Sequence, residues 1–329
     1  MTDIAATTPP ARSAARRFAL NPVYIILALL LAAIAIQSPN FLEPTGYMNF
    51  LKRAAPLAIL AAGQVYVLTS GGFDLSVGSI ITLTVIGSSI LINGDPNAAI
   101  WVIPLMLGIG LVVGFINGAV VSYLKVPSII ATLGMMITLN GVALTWSGGS
   151  PRGYLPDSFR YFGRAMIGDL PLIQILPVAL IVLIVVGGLL WWLMHRTAYG
   201  RLVHAVGDNP RAARLGGTPV ERVRIIAFII SAISAVVAGI LLGGFAGVST
   251  DVGLGYELQA ITVAVIGGAQ LLGGRGSVGA SIAGALTLQA IFTLLNMLGL
   301  PKPIRDAVQG LILISAVALA QHRRQRTGG

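Results

Sequence analysis

Residues 225–248 read IIAFIISAISAVVAGILLGGFAGV, with no ionisable side chain. As a helix, an apolar run of about 20 residues matches the hydrocarbon thickness of a bilayer. Lipid offers the backbone no water, so only helices and closed barrels cross it. The unbroken run also lacks the alternation of a barrel strand. Comparable blocks lie at 21–37, 99–124 and 173–194. The chain of 329 residues is 56% hydrophobic and 10% charged, against about 25% charged in water-soluble domains. It reads as an all-α membrane protein, a polytopic helical bundle.

Turn chemistry divides the chain further. Breaks fall at 94–97 (GDPN), 125–127 (KVP), 148–151 (GGSP), 273–276 (GGRG) and 301–303 (PKP). They predict about ten transmembrane helices, at 21–37, 54–72, 75–93, 99–124, 127–146, 171–194, 224–247, 258–272, 276–298 and 303–320. The stretches near 71–79 and 267–279 also suit re-entrant hairpins. Around this domain (21–320), residues 1–20 read as a disordered basic tail and 321–329 as a second tail. The first block, preceded by Arg12, Arg16 and Arg17, reads as an uncleaved first helix, because no small-residue cleavage site follows it.

With ten spans both termini are expected in the cytoplasm, with an outer loop at about 147–170 and a cytoplasmic loop at about 195–223. On that topology 14 of the 21 Lys and Arg residues are inside and 7 outside, as the excess of basic residues in cytoplasmic loops requires. The net charge of +10 is thus a topology signal, and no nucleic-acid partner is expected. The absence of cysteine excludes a disulfide framework. Small residues recur every fourth position at Gly110/Gly114/Gly118, Gly239/Gly243/Gly247 and Gly276/Ala280/Gly284, the spacing that lets helix backbones approach in lipid.

Two segments put glycine and charge where apolar blocks break: 71–79 (GGFDLSVGS) and 267–279 (GGAQLLGGRGSVG). Irregular backbone at membrane depth is tolerated only against protein or a water-lined cavity, and ionisable groups there are functional suspects. Asp74, Ser76, Gly78, Arg275 and Gly276 are the candidates for a gate at the inner mouth, with an Asp74–Arg275 pair as one arrangement. The plain alternative is two tight turns, Asp74 capping the helix that follows. In the cytoplasmic loop, Asn209 reads as an N-cap, Pro210 as the first helical residue and Gly216 as the stop. The short helix of Pro210, Arg211, Ala212, Ala213, Arg214 and Leu215, bounded by Gly207 and Gly216, has bare alanines that suit a groove on a partner.

Enzymatic readings find no support. There is no G-x-x-x-x-G-K-[ST] phosphate loop, and Lys52, Lys125 and Lys302 are the only lysines. His195, His204 and His322 have no second ligand at metal spacing, so neither a metal nor another cofactor is expected.

Four stretches resemble the monosaccharide permease subunits of bacterial ATP-binding-cassette importers, the family of the ribose, xylose and autoinducer-2 permeases. They are 71–79, 126–134 (VPSIIATLG), 197–217 (TAYGRLVHAVGDNPRAARLGG) and 255–277 (GYELQAITVAVIGGAQLLGGRGS). Departures are Phe73 for the commoner Ile, Gln259 for Asp, and Gln270-Leu271-Leu272 where Ser or Thr is frequent. The resemblance implies a multi-pass protein of the bacterial inner membrane. Its partners would be two cytoplasmic ATPase domains, a second permease (identical or paralogous) and a periplasmic sugar-binding protein. Residues 197–217 would couple the chain to the ATPase. A sugar path is expected to present neutral polar groups, and Gln64, Asn117, Asn140, Gln259, Gln270 and Asn296 are candidates, each equally able to bond between helices. The rival readings are a branched-chain amino acid permease of the same importer class and a proton-coupled carrier titrating Asp74.

Overall fold

The computed structural model describes residues 21–168 and 174–301, and beyond them 303, 304, 307, 308, 310–312, 314, 315 and 318. Both predicted tails, and much of the predicted span 303–320, lie outside the described residues. Helix α1 (Pro22–Gln37) opens on Asn21, whose side-chain oxygen accepts from the Val23 N–H at 3.2 Å, with proline in the first turn. The same Asn21 donates from its amide nitrogen to the Gly267 carbonyl at 2.9 Å, tying the first helix to the second glycine-rich segment.

Two helices form the centre. In α2 (Pro44–Thr69) 83% of the apolar window is buried, and in α10 (Val220–Phe245) 78%. Around this pair, α3 (Val77–Ile92) and α4 (Ala99–Ser122) pack on α10, while α12 (Val278–Met297) and α7 (Val178–Arg196) pack on α2. α1 lies against α12, α11 (Tyr256–Ile266) against α12 and α2, and α5 (Ser128–Ser147) against α3. Between α5 and α7 come α6 (Asp157–Arg164) and a small antiparallel hairpin, β1 (Met166–Gly168) with β2 (Ile175–Pro177). Two short helices, α8 (Ala198–Asp208) and α9 (Pro210–Leu215), follow α7.

Among the described residues, six helices (α2, α4, α5, α7, α10 and α12) are long and apolar enough to cross a membrane, and α1, α3 and α11 are shorter apolar helices. The protein is a multi-pass, all-α membrane protein. The expected outer loop at 147–170 is more structured than its polar composition implies: α6 is amphipathic, its Phe159 fully buried and its Gly163 set against the backbone of Leu241 and Gly244. The sixth apolar block enters its helix only at Val178, because Ile175–Pro177 is committed to the hairpin.

The first glycine run is a helix seam. A methyl group at Gly110 would stand 2.6 Å from Val236 Cγ2, at Gly114 2.7 Å from Ile229 Cα, and at Gly118 2.6 Å from Ile225 Cα. Thus α4 presses its bare face onto α10. Gly284 does the same for α12 against Val263 of α11. In the α10 run, Gly239 meets Thr84 of α3 and Gly243 meets Phe159 and Leu155, whereas Gly247 lies past the helix end at φ +82°, in a turn. Gly114→Ala is expected to lower stability by about 1–3 kcal/mol, the usual cost of overpacking. Gly134→Ala, with open space around it, should be neutral or gain up to about 1 kcal/mol from helix propensity. Unfolding in mixed detergent and dodecyl sulfate micelles separates the two.

Candidate functional site

After Thr69 the chain reverses. Gly71 adopts φ +84°, and residues 72–75 run back beside α2 in non-helical backbone. Such backbone must find partners, and α5 supplies them: Ser128 Oγ accepts from the Phe73 N–H at 3.0 Å and Thr132 Oγ1 from the Leu75 N–H at 3.1 Å. Ser128 and Thr132 are four apart on one helix face, which is the physical content of the 126–134 motif.

Asp74 is fully buried on this returning segment. Its Oδ1 accepts from the Ser76 N–H at 3.0 Å and the Ser76 hydroxyl at 2.6 Å. Its backbone carbonyl accepts from Gln64 Nε2 at 3.1 Å. Asn117 Nδ2 donates to Ser76 Oγ at 2.9 Å, and the Ser231 hydroxyl donates to Gln64 Oε1 at 3.0 Å. One buried polar network therefore joins α2, α4, α10 and the break. Asp74 Oδ2 has no hydrogen-bond partner among the described residues. Gln64 lies five residues before the end of α2 and Asn117 five before the end of α4, so the network sits about 8 Å inside both helix ends.

That depth corrects the expected Asp74–Arg275 pair. Arg275 is exposed, and among the described residues the one ion pair joins Arg214 and Glu221. The carboxylate turns inward because the Ser76 N–H and hydroxyl donors lie there. Its Ser76 bond makes a turn just ahead of α3, so the capping alternative is close to what is seen.

A second interruption descends to meet the first. The loop 246–255 leaves α10 and brings Gly253 to the start of α3, where its N–H donates to Thr82 Oγ1 at 3.2 Å. A methyl at Gly78 would lie 2.6 Å from the Gly253 carbonyl and would also strike the Glu257 carboxylate. Here α3 begins and α11 begins, with lengths of about 24 and 16 Å that fall short of a full crossing. Beside their meeting point lies a cavity of about 300 Å³ with a largely apolar wall, whose polar groups come from Ser79, Thr82, Asn140, Asp251 and Glu257 among others.

Of the six path candidates, Asn140 reaches this cavity, while Gln64 and Asn117 belong to the buried network. Gln259 and Gln270 are half-buried and Asn296 is exposed near the end of α12, and none of these three lines it. Glu257 was missed as a site residue although it stands within the 255–277 motif.

The short helix expected at 210–215 forms. Asn209 Oδ1 accepts from the N–H groups of Arg211 and Ala212, both at 3.0 Å, Pro210 opens α9, and Gly216 ends it. Arg211, Ala212, Arg214 and Leu215 are exposed, Leu215 to 91%. Ala213 packs inward. Behind α9 a cavity of about 780 Å³ separates it from Phe73 and Ser128. Tyr199 of α8 donates to the Val223 carbonyl at 3.1 Å, and burial pushes its pKa well above the ordinary phenol value, so it stays a fixed donor.

The sharpest junction is at Gly207. It is buried, and a methyl there would strike the Thr69 carbonyl and the Gly274 nitrogen. Those two atoms bond each other, Gly274 N–H to Thr69 O at 2.9 Å. His204 Nδ1 adds a bond to the Gly274 carbonyl at 2.9 Å. α8 thus rests on the end of α2 and on the segment that holds Gly276, whose own Cα faces Thr69 Oγ1.

The profile of the family described as "Branched-chain amino acid transport system / permease component" matches residues 46–317. The ribose import permease protein RbsC of Escherichia coli K12 is 33% identical over 306 residues, 92% of this chain and 93% of that protein. The autoinducer 2 import system permease protein LsrC of Klebsiella pneumoniae is 36% identical over 308 residues, covering 93% and 87%. The ribose import permease protein RbsC of Bacillus subtilis is 33% identical over 303 residues, covering 90% and 91%. No solved structure matches the chain significantly.

Proposed function

The chain belongs to the branched-chain amino acid transport system / permease component family, and from that premise we propose that it is the membrane-spanning subunit of an ATP-driven importer. Its cargo is a monosaccharide or a closely related small polyol. The single observation that carries the reading is the exposed, alanine-bearing α9, which follows directly on α8, whose Gly207 packs against the end of α2 and against Gly274. An external motor that moves α9 would, through α8, move the segments at 71–79 and 267–279 together.

The partners follow from the same reading. Two cytoplasmic ATPase domains receive α9 in a groove, and a periplasmic sugar-binding protein delivers cargo at the opposite end of α2 and α10. A second permease, identical or paralogous, completes the path. Its place is α5, with 17% of its window buried and with Gly134 and Gly141 facing open space. Ten spans in a bacterial inner membrane, with both termini cytoplasmic, suit this arrangement. The cavity at Asn140 suits a sugar, because Thr82, Asn140 and Glu257 offer hydrogen bonds to hydroxyls within a largely apolar wall. The three relatives carry sugar or autoinducer names, which weighs against an amino acid cargo.

The test is transport in proteoliposomes. The chain alone, under a pH gradient, should accumulate nothing. Accumulation should appear only with the co-encoded ATPase, the binding protein and ATP. Asp74→Asn should keep a measurable part of that uptake, since an amide oxygen still accepts from Ser76; a proton carrier would lose all of it. Gradient-driven uptake without a nucleotide-hydrolysing partner would overturn the proposal.

A further inference from the structure

Four of the seven basic residues expected on the outer side converge on one cavity. Lys52 and Arg53 come from α2 and Arg160 and Arg164 from α6, around a hollow of about 680 Å³ that Tyr256 and Gln289 also line. Arg160 and Arg164 stand four apart, so both guanidinium groups face the same side. No carboxylate lines the hollow. Asp157 lines the adjoining cleft with the two arginines, and no ion pair among the described residues involves any of the four cations. Arg160 Nε donates to the Gly244 carbonyl at 3.1 Å, which fixes that side chain and leaves its terminal nitrogens.

Basic residues at this end run against the usual topology preference, and four like charges in one hollow repel. An anion fits this chemistry. Its depth identifies the kind. Lys52 lies 17 residues before Thr69, the inner end of α2, or about 26 Å along the helix. A hydrocarbon core of about 30 Å then leaves the Lys52 backbone about 4 Å short of the core's outer edge, and a long cationic side chain covers that distance to the headgroups of the outer leaflet. An anionic cargo fits poorly, because the Asn140 cavity holds Asp251 and Glu257.

We propose that the cavity binds the phosphodiester headgroup of an anionic phospholipid. The test is displacement of fluorescent phosphatidylglycerol from the purified full chain in neutral detergent at low salt. Unlabelled phosphatidylglycerol should displace the probe about tenfold better than phosphatidylcholine. Arg53→Gln with Arg164→Gln should erase that preference, and Arg53→Lys with Arg164→Lys should retain it. The lysine pair separates lost charge from lost folding, and both pairs spare Arg160, which anchors α6. Equal displacement by the two lipids, or an unchanged preference in the glutamine pair, overturns the proposal. So does displacement by inorganic phosphate alone, which marks a free-anion site, or by oligoglutamate, which marks a dock for protein carboxylates.

Discussion

Replacing Ala212 by arginine is expected to abolish uptake while leaving the chain folded and inserted. Ala212 is exposed on α9, so a longer side chain disturbs nothing within the subunit. Its cost falls on whatever receives the helix. A groove shaped to a methyl group cannot hold a guanidinium without moving or leaving a charge desolvated, and such central positions cost about 2–4 kcal/mol, or roughly 30- to 1000-fold in association. The readout is co-purification of the ATPase from membranes, alongside uptake in cells with matched expression. Ala212→Ser adds one oxygen and should keep most of both. Normal transport by Ala212→Arg would mean that the motor docks elsewhere.

The membrane class was legible from residues 225–248 because thickness and hydropathy act on one continuous segment. The cap at Asn209 was legible for the same reason, since Asn, Pro and Gly act within a turn. Asp74 was placed too near the surface because counting spans treats each apolar block as a crossing. A return of a few extended residues, held by Ser128 and Thr132 from α5, leaves no mark in hydropathy. Glu257 escaped notice because its cavity forms only when α3, α5 and the loop after α10 meet. The glycine run of α4 announced a seam but not its partner, which proved to be Ile225, Ile229 and Val236 rather than another glycine run. α6 was lost among polar residues, although Phe159 and Phe162 flank a helical turn in which one ring is buried and the other exposed.

Gly207→Ala tests a different link, the one between docking and the path. The added methyl would wedge into the hydrogen bond from the Gly274 N–H to the Thr69 carbonyl. Both contacts are backbone, so neither yields by rotating a side chain. Overpacking and a lost buried hydrogen bond together predict about 2–4 kcal/mol of destabilisation. Asn209 and Pro210 still cap α9, so the docking helix itself survives. Two outcomes therefore separate: Ala212→Arg loses ATPase co-purification, whereas Gly207→Ala keeps it and loses uptake. His204→Ala, which removes only the side-chain bond to the Gly274 carbonyl, should give a milder defect of the same kind. If motion of α9 reaches the interruptions through this junction, ATP hydrolysis in the Gly207→Ala complex becomes independent of the loaded binding protein. A Gly207→Ala complex that imports at the normal rate would show that the junction supports the fold without carrying the stroke.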